Sequence, residues 1–238
     1  MKIDLILRKL LSVLSHVVLI LFLLSNIYAE HSGQYLVTVG NKLAFAAGFV
    51  GLWTLATYIG APPQENEEAR RRRLQRYLRG LFCYYLWILC NMLFFDAVFG
   101  RSHGTAVPHM NFYEADINLQ PLKTICNYLR AYAHGRINGH IVAINLVGNL
   151  AAFAPMGFFL PALCRPMRNV FLFLLSIIAM VCLVEATQIA TMTGSCDIDD
   201  LILNTAGALL IWLIVQLPFI RKRAYRVAPP TPGKGKKQ

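Results

Sequence analysis

The sequence predicts an all-α, polytopic integral membrane protein with six transmembrane helices and both termini in the cytoplasm. Three observations carry this expectation. The 238 residues are 56% hydrophobic and only 15% charged, whereas a soluble domain carries about a quarter charged residues. Six apolar runs reach the length of about 20 residues that a bilayer core requires. Lysine and arginine are spread unevenly around those runs, in the manner of a topology signal.

The runs lie at roughly 10–29, 39–60, 80–99, 141–163, 170–191 and 201–220. The first has two readings. Lys2, Arg8 and Lys9 before an apolar core, with Ala29 at its end, also suit a cleaved signal peptide. Ile27 is large for the −3 position of such a cleavage site and the core is long, which favours a retained anchor. With the N-terminus inside, 18 of the 23 Lys and Arg residues fall on the inner side. They include the run Arg70 to Arg73, Arg76, Arg79, Arg165, Arg168 and seven residues of the C-terminal segment. Lys42, Arg101, Lys123, Arg130 and Arg136 fall outside or near that boundary. The reverse orientation would export the Arg70–Arg73 run, against the positive-inside rule.

The chain thus divides into residues 1–79, two spans and a basic inner loop; residues 80–220, a membrane domain; and residues 221–238, a basic tail. In the loop, Glu65, Glu67 and Glu68 precede the arginines at helical spacing, which predicts a short amphipathic helix on the inner surface. The tail is too polar and proline-rich to pack and reads as disordered. The outer segment 100–140 is the longest connection. Leu122, Ile125, Leu129 and Tyr132 predict a short helix within Pro121–Ala133, lying on the outer surface. Its histidines, His103, His109, His134 and His140, show no paired spacing on one helix face, so each reads first as solvated or interfacial. The net charge of +11 belongs to topology: no basic patch is interleaved with aromatics as nucleic-acid binding requires. The six cysteines form no C-x-x-C pair. A disulfide between Cys126 and Cys196 is one option outside the membrane.

The polar residues inside the apolar runs are the candidate site. Asn145 and Asn149 open span four, Glu185 and Gln188 interrupt span five, and Asp197, Asp199, Asp200 and Asn204 introduce span six. Burying such groups in hydrocarbon costs several kilocalories unless they are paired, so they face a bundle interior or a wet cavity. At 1.5 Å rise per residue, all of them fall in the outer half of the membrane: Asn149 about 12 Å and Glu185 about 9 Å below the outer ends of their spans. Asn145/Asn149 and Asp200/Asn204 are spaced i,i+4 and Glu185/Gln188 i,i+3, so each pair shares a helix face. Gly148, Ala152 and Gly207 permit close helix approach, and Pro155-Met-Gly157 can bend span four below the polar level. The expectation is one pocket open to the outside. Simpler roles compete: interhelical hydrogen bonding for Asn145, Asn149, Gln188 and Asn204, and capping of span six for one of the three aspartates. Glu185 fits neither, and requires a proton or a partner such as Arg136, a histidine or a cation.

These residues, taken in order, resemble a known family. Asn145-Leu-Val-Gly-Asn149, Phe153-Ala-Pro-Met-Gly-Phe-Phe-Leu-Pro161, Glu185-Ala-Thr-Gln188 and Asp197-Ile-Asp-Asp200-Leu-Ile-Leu-Asn204-Thr-Ala-Gly207 are similar to the VanZ-like family. Asn118-Leu-Gln-Pro-Leu-Lys-Thr-Ile125 is similar to its N-L-x-P-F loop, with Leu122 in place of the usual phenylalanine. The resemblance covers about residues 80–217 and leaves out the first two spans. Many members carry an arginine before the D-x-D-D stretch. Gly194, Ser195 and Cys196 stand there in this chain, so that residue's role does not transfer. The resemblance implies a multi-pass protein of the bacterial plasma membrane, with a founding member associated with teicoplanin resistance and no agreed biochemical activity.

Two functions follow as expectations. In the first, Asn118, Asn145, Asn149, Glu185, Gln188, Asp197, Asp200 and Asn204 line an outward pocket that binds a lipid headgroup or cell-wall precursor and alters glycopeptide susceptibility. In the second, the protein is an enzyme acting on an envelope lipid or lipid-linked precursor, with Glu185, Asp199 and Asp200 as catalytic candidates. Asp199 and Asp200 would then hold a divalent cation and Glu185 would act as general base. The chain lacks a G-x-S-x-G elbow, an H-E-x-x-H helix and a Walker loop, which weighs against the enzyme. Transport has less support without a detectable repeat. No cofactor or metal is assigned.

Overall fold

The computed structural model describes residues 2–32, 39–62, 64–94, 117–191 and 196–227. Six helices are long and apolar enough to cross a membrane: Ile6–Ala29, Gly40–Ile59, Glu67–Phe94, Gly139–Leu163, Val170–Ala190 and Ile198–Val215. The chain is an all-α polytopic membrane protein, in two compact units, Met1–Leu86 and Trp87–Gln238.

Unit one holds α1 (Lys2–His31), α2 (Val39–Ile59) and the first part of α3 (Glu67–Phe94). α1 and α2 run antiparallel: Gly48 lies against the Phe22 ring, and Gly60 against Ser12. Gly51, three residues on from Gly48, has nothing near its Cβ position. Phe49 stacks on Tyr84 with ring centroids 3.8 Å apart, and Trp53 Nε1 donates to the Tyr77 carbonyl at 2.9 Å.

α3 departs from expectation. The basic segment is no separate surface helix; it continues into the third span as one helix of 28 residues. Nothing between Arg76 and Phe82 stops a helix except Gly80, and one glycine costs only about 1 kcal/mol. Asn66 caps its start by accepting from the Ala69 amide. Residues 95–99, the expected end of span three, lie outside the described residues.

Unit two contains a short strand β1 (Ile117–Asn118), the surface helix α4 (Lys123–Ala133), span four, α8 (Val170–Ala190), β2 (Cys196–Asp197), α9 (Ile198–Val215) and α10 (Pro218–Ala224). Span four is built in pieces: α5 (Gly139–Val142), a π-helical turn over Ala143–Val147, α6 (Gly148–Ala152) and α7 (Met156–Leu163). The break at Phe153–Pro155 falls at the expected proline, which has no N–H to donate. Span four runs parallel to α9 in tight contact. A Cβ on Gly207 would overlap the Leu150 carbonyl oxygen, and one on Gly157 the Ala208 carbonyl oxygen. Phe153, Phe173, Ile177, Val181, Ala208 and Trp212 fill the core. α9 stops at Val215 because Pro218 starts a new helix at its favoured first position. Residues 221–227, expected within a disordered tail, are helical because Tyr225 packs back on the bundle. All six cysteines are free thiols.

Candidate functional site

At the N-terminal end of α9, three of four carboxylates accept from backbone amides at two helix starts. Asp197 is the N-cap of α9 and accepts from the Asp199 amide at 2.9 Å. Its carboxylate also accepts from Asn118 Nδ2 at 2.9 Å and from the Thr124 hydroxyl at 2.6 Å. These bonds extend the parallel pairing of β1 with β2, in which Ile117 lies opposite Cys196 and Asn118 opposite Asp197.

Asp199, 1% exposed, caps a helix other than its own. Its two oxygens accept from the amides of Leu122 at 2.5 Å and Ile125 at 3.1 Å, at the start of α4. The carboxylate therefore sits at the positive ends of α4 and α9 together, where both macrodipoles favour negative charge. Leu122 adopts the left-handed conformation, φ 65°, the one non-glycine residue among those described to do so. Such a residue stores roughly 1–3 kcal/mol, and the Asp199 bond to its own amide holds it there.

Glu185, 7% exposed, accepts from the Asp197 backbone amide at 3.3 Å. Its partner thus includes the free N-terminus of α9, which is absent from the candidates that sequence reasoning supplied. Gln188 is buried and turns the other way, donating to the Leu93 carbonyl of α3 at 2.9 Å. Asp200 is half-buried and accepts from Asn149 Nδ2. Asn204, one turn on, donates to the Asp200 carbonyl at 2.8 Å. Its buried Oδ1 has no hydrogen-bond partner among the described residues.

Asn145 is not brought to this cluster by any such bond; its Nδ2 donates to Ile141 of its own helix at 2.8 Å. Its shared face with Asn149 presumed an unbroken α-helix. The π turn Ala143–Val147 includes Asn145 and ends before Asn149.

Sequence reasoning missed two residues. Thr124 bridges to Asp197, and Tyr128, one turn further along α4, lies in the field of Asp200 and Asp197. Burial first, then those two aspartates, push the Tyr128 phenol above its ordinary value. The signal was the i,i+4 spacing of Thr124 and Tyr128 along one flank of the hydrophobic stripe. Burial likewise raises the Cys196 thiol, with Glu185 the next cause. No group of three or more His, Cys, Asp or Glu side chains among the described residues is placed to hold a metal ion. His134 and His140 are exposed; His103 and His109 lie outside the described residues.

Residues 82–220 match the family described as VanZ/LLP1, over more than half of the chain. The protein belongs to that family. The matched region of this VanZ/LLP1 protein contains Asn118, Asn149, Glu185, Asp197, Asp199, Asp200 and Asn204, and starts beyond α1 and α2. No curated protein and no solved structure matches the chain.

Proposed function

We propose that the polar end of unit two binds the headgroup of a cell-envelope component at the outer face of a bacterial plasma membrane, with both termini in the cytoplasm. The observation that carries this reading is the buried Oδ1 of Asn204, which has no hydrogen-bond partner among the described residues and lies one turn from half-buried Asp200. Such a site suits a ligand rich in donors, bearing hydroxyl or ammonium groups, as lipid headgroups and lipid-linked sugars do. Asp197 and Asp199 hold β1 and α4 in place; Asp200, Asn149, Asn204 and Tyr128 meet the ligand, and Glu185 supports them from below. A change in teicoplanin susceptibility would be a downstream effect of altered envelope composition.

The enzymatic reading keeps Asp200 and Glu185 as its catalytic candidates. It has less support because each Asp199 oxygen already accepts an amide, which reduces its capacity for a cation. The test is envelope lipid and precursor profiling of a deletion strain complemented with wild type, Asp200→Asn or Glu185→Gln. The binding reading expects unchanged masses with altered amounts of one component, lost in Asp200→Asn. A new mass that both variants fail to produce would establish an enzyme instead. Full rescue by both variants sinks either role. Cysteines placed at 70–73 that react with an impermeant maleimide from outside would overturn the orientation.

A further inference from the structure

Both ends of α4 are tied to the starts of membrane spans. At its N-terminus, the amides of Leu122 and Ile125 donate to Asp199 in the first turn of α9. At its other end, the Tyr132 ring lies 3.4 Å from where a Cβ would stand on Gly139, the first residue of span four. Asn149 meets Asp200 and Gly157 meets Ala208, so spans four and six start at the same end of the unit. α4, about 16 Å long at 1.5 Å per residue, therefore lies across those two starts, level with the boundary of the apolar layer.

The helical period sorts the α4 residues into three strips. Thr124 and Tyr128 turn toward the carboxylates. Leu122, Leu129 and Tyr132 form an apolar strip, extended by Leu119 just before the helix, and all four are 50–67% exposed. Lys123, Asn127 and Arg130, spaced i, i+4 and i+7, form an exposed polar strip on the other side of Leu122 and Leu129. α4 contains no Asp or Glu.

Large apolar side chains held open at this level are costly in water and not in lipid. An apolar strip beside a cationic one is the pattern of a helix lying in the headgroup layer, with its stems in the acyl chains and its cations at the phosphates. Tyr132 suits the same depth, where aromatic rings with one polar end collect. We infer that α4 is an interfacial helix that binds anionic phospholipid in the leaflet at the α9 N-terminal end. Leu122, Leu129 and Tyr132 enter the acyl chains, and Lys123 and Arg130 meet the phosphates. This holds whichever side that end faces and whatever ligand the carboxylate site takes.

The test places full-length protein in nanodiscs of equimolar phosphatidylglycerol and phosphatidylcholine. Photo-reactive benzoylphenylalanine stands in place of Leu129 or, as a control, of Asn127. After irradiation, mass spectrometry identifies what each probe has joined. The probe at 129 joins lipid in clear excess over the probe at 127, and joins phosphatidylglycerol about fivefold more than phosphatidylcholine. Lys123→Gln combined with Arg130→Gln removes that preference and keeps the lipid adduct. Should the chain with the probe at 129 not fold, the same probe at Leu119 decides. A cross-link to another part of the chain or to a second copy overturns the inference, as does no lipid excess over the probe at 127. A missing phosphatidylglycerol preference, or one that survives the double substitution, overturns it too.

Discussion

The two units differ in what their buried asparagines and carboxylates bind. In unit one Ser15 donates to Leu11 and Asn26 to Phe22, each one turn back on its own helix, and bonds between helices include those of Trp53 and Thr54 to Tyr77. In unit two Asn118, Asn149, Gln188 and Asp199 bond between elements distant in sequence. The glycines follow the same division. Gly48 faces an aromatic side chain that can shift; Gly207 faces a backbone carbonyl that cannot. A self-bonded asparagine solves its own desolvation and specifies nothing further. A cross-bonded one fixes the relative position of two helices, which is what a site needs.

This contrast is breakable by substitution, measured as unfolding free energy in detergent or bicelles. Gly207→Ala comes first, with a loss of about 3 kcal/mol through overpacking against backbone. Gly48→Ala, against a ring able to move, loses under about 1 kcal/mol, and comparable losses at the two sites would break the contrast. Asp199→Ala costs about 2–3 kcal/mol by stripping two amides of a charged acceptor. Hydrogen exchange should accelerate at Leu122 and Ile125 and stay unchanged in α8; uniform acceleration would mean that Asp199 does not specifically hold α4. Asn149→Leu costs about 1 kcal/mol, whereas Asn26→Leu and Asn145→Leu are within about 0.5 kcal/mol of wild type.

Two smaller effects sharpen the site itself. Glu185 helps to hold the Cys196 thiol protonated, so Glu185→Gln should speed maleimide labelling of Cys196 by about threefold at pH 8. An unchanged rate would mean that Glu185 carries no charge there. Burial and the two aspartates disfavour the Tyr128 phenolate in the fold, so stability is lost as pH rises from the ordinary tyrosine value, 10.0, through the higher folded value. Tyr128→Phe should remove this alkaline limb of the stability profile and leave the neutral region unchanged.

The six spans were legible because length and hydropathy are properties of the sequence alone. So was α4, whose stripe of Leu122, Ile125, Leu129 and Tyr132 has the helical period. The end of the bundle that holds the carboxylates was legible too, since depth follows from counting residues. Partners were not. Asp199 reads as a cap for its own helix, and only the fold places the α4 amides over it. The π turn at Ala143–Val147 leaves no compositional mark, and neither does the bond of Asn145 to its own helix. The β1–β2 pairing involves two residues per strand, too few for any period to register. α3 was misread because a change of charge density looked like a boundary, and a helix needs a stop signal to end.

That uninterrupted α3 has a mechanical meaning. Its first 13 residues, Glu67 to Arg79, extend about 20 Å at 1.5 Å per residue. The arginines from Arg70 to Arg79 are thus rungs on one stiff rod, spread over about 14 Å of height. A bilayer that thickens or thins changes which rung meets its phosphate layer, and a rod cannot absorb that change by bending at a joint. A continuous α3 therefore meets a change of thickness by tilting as a whole.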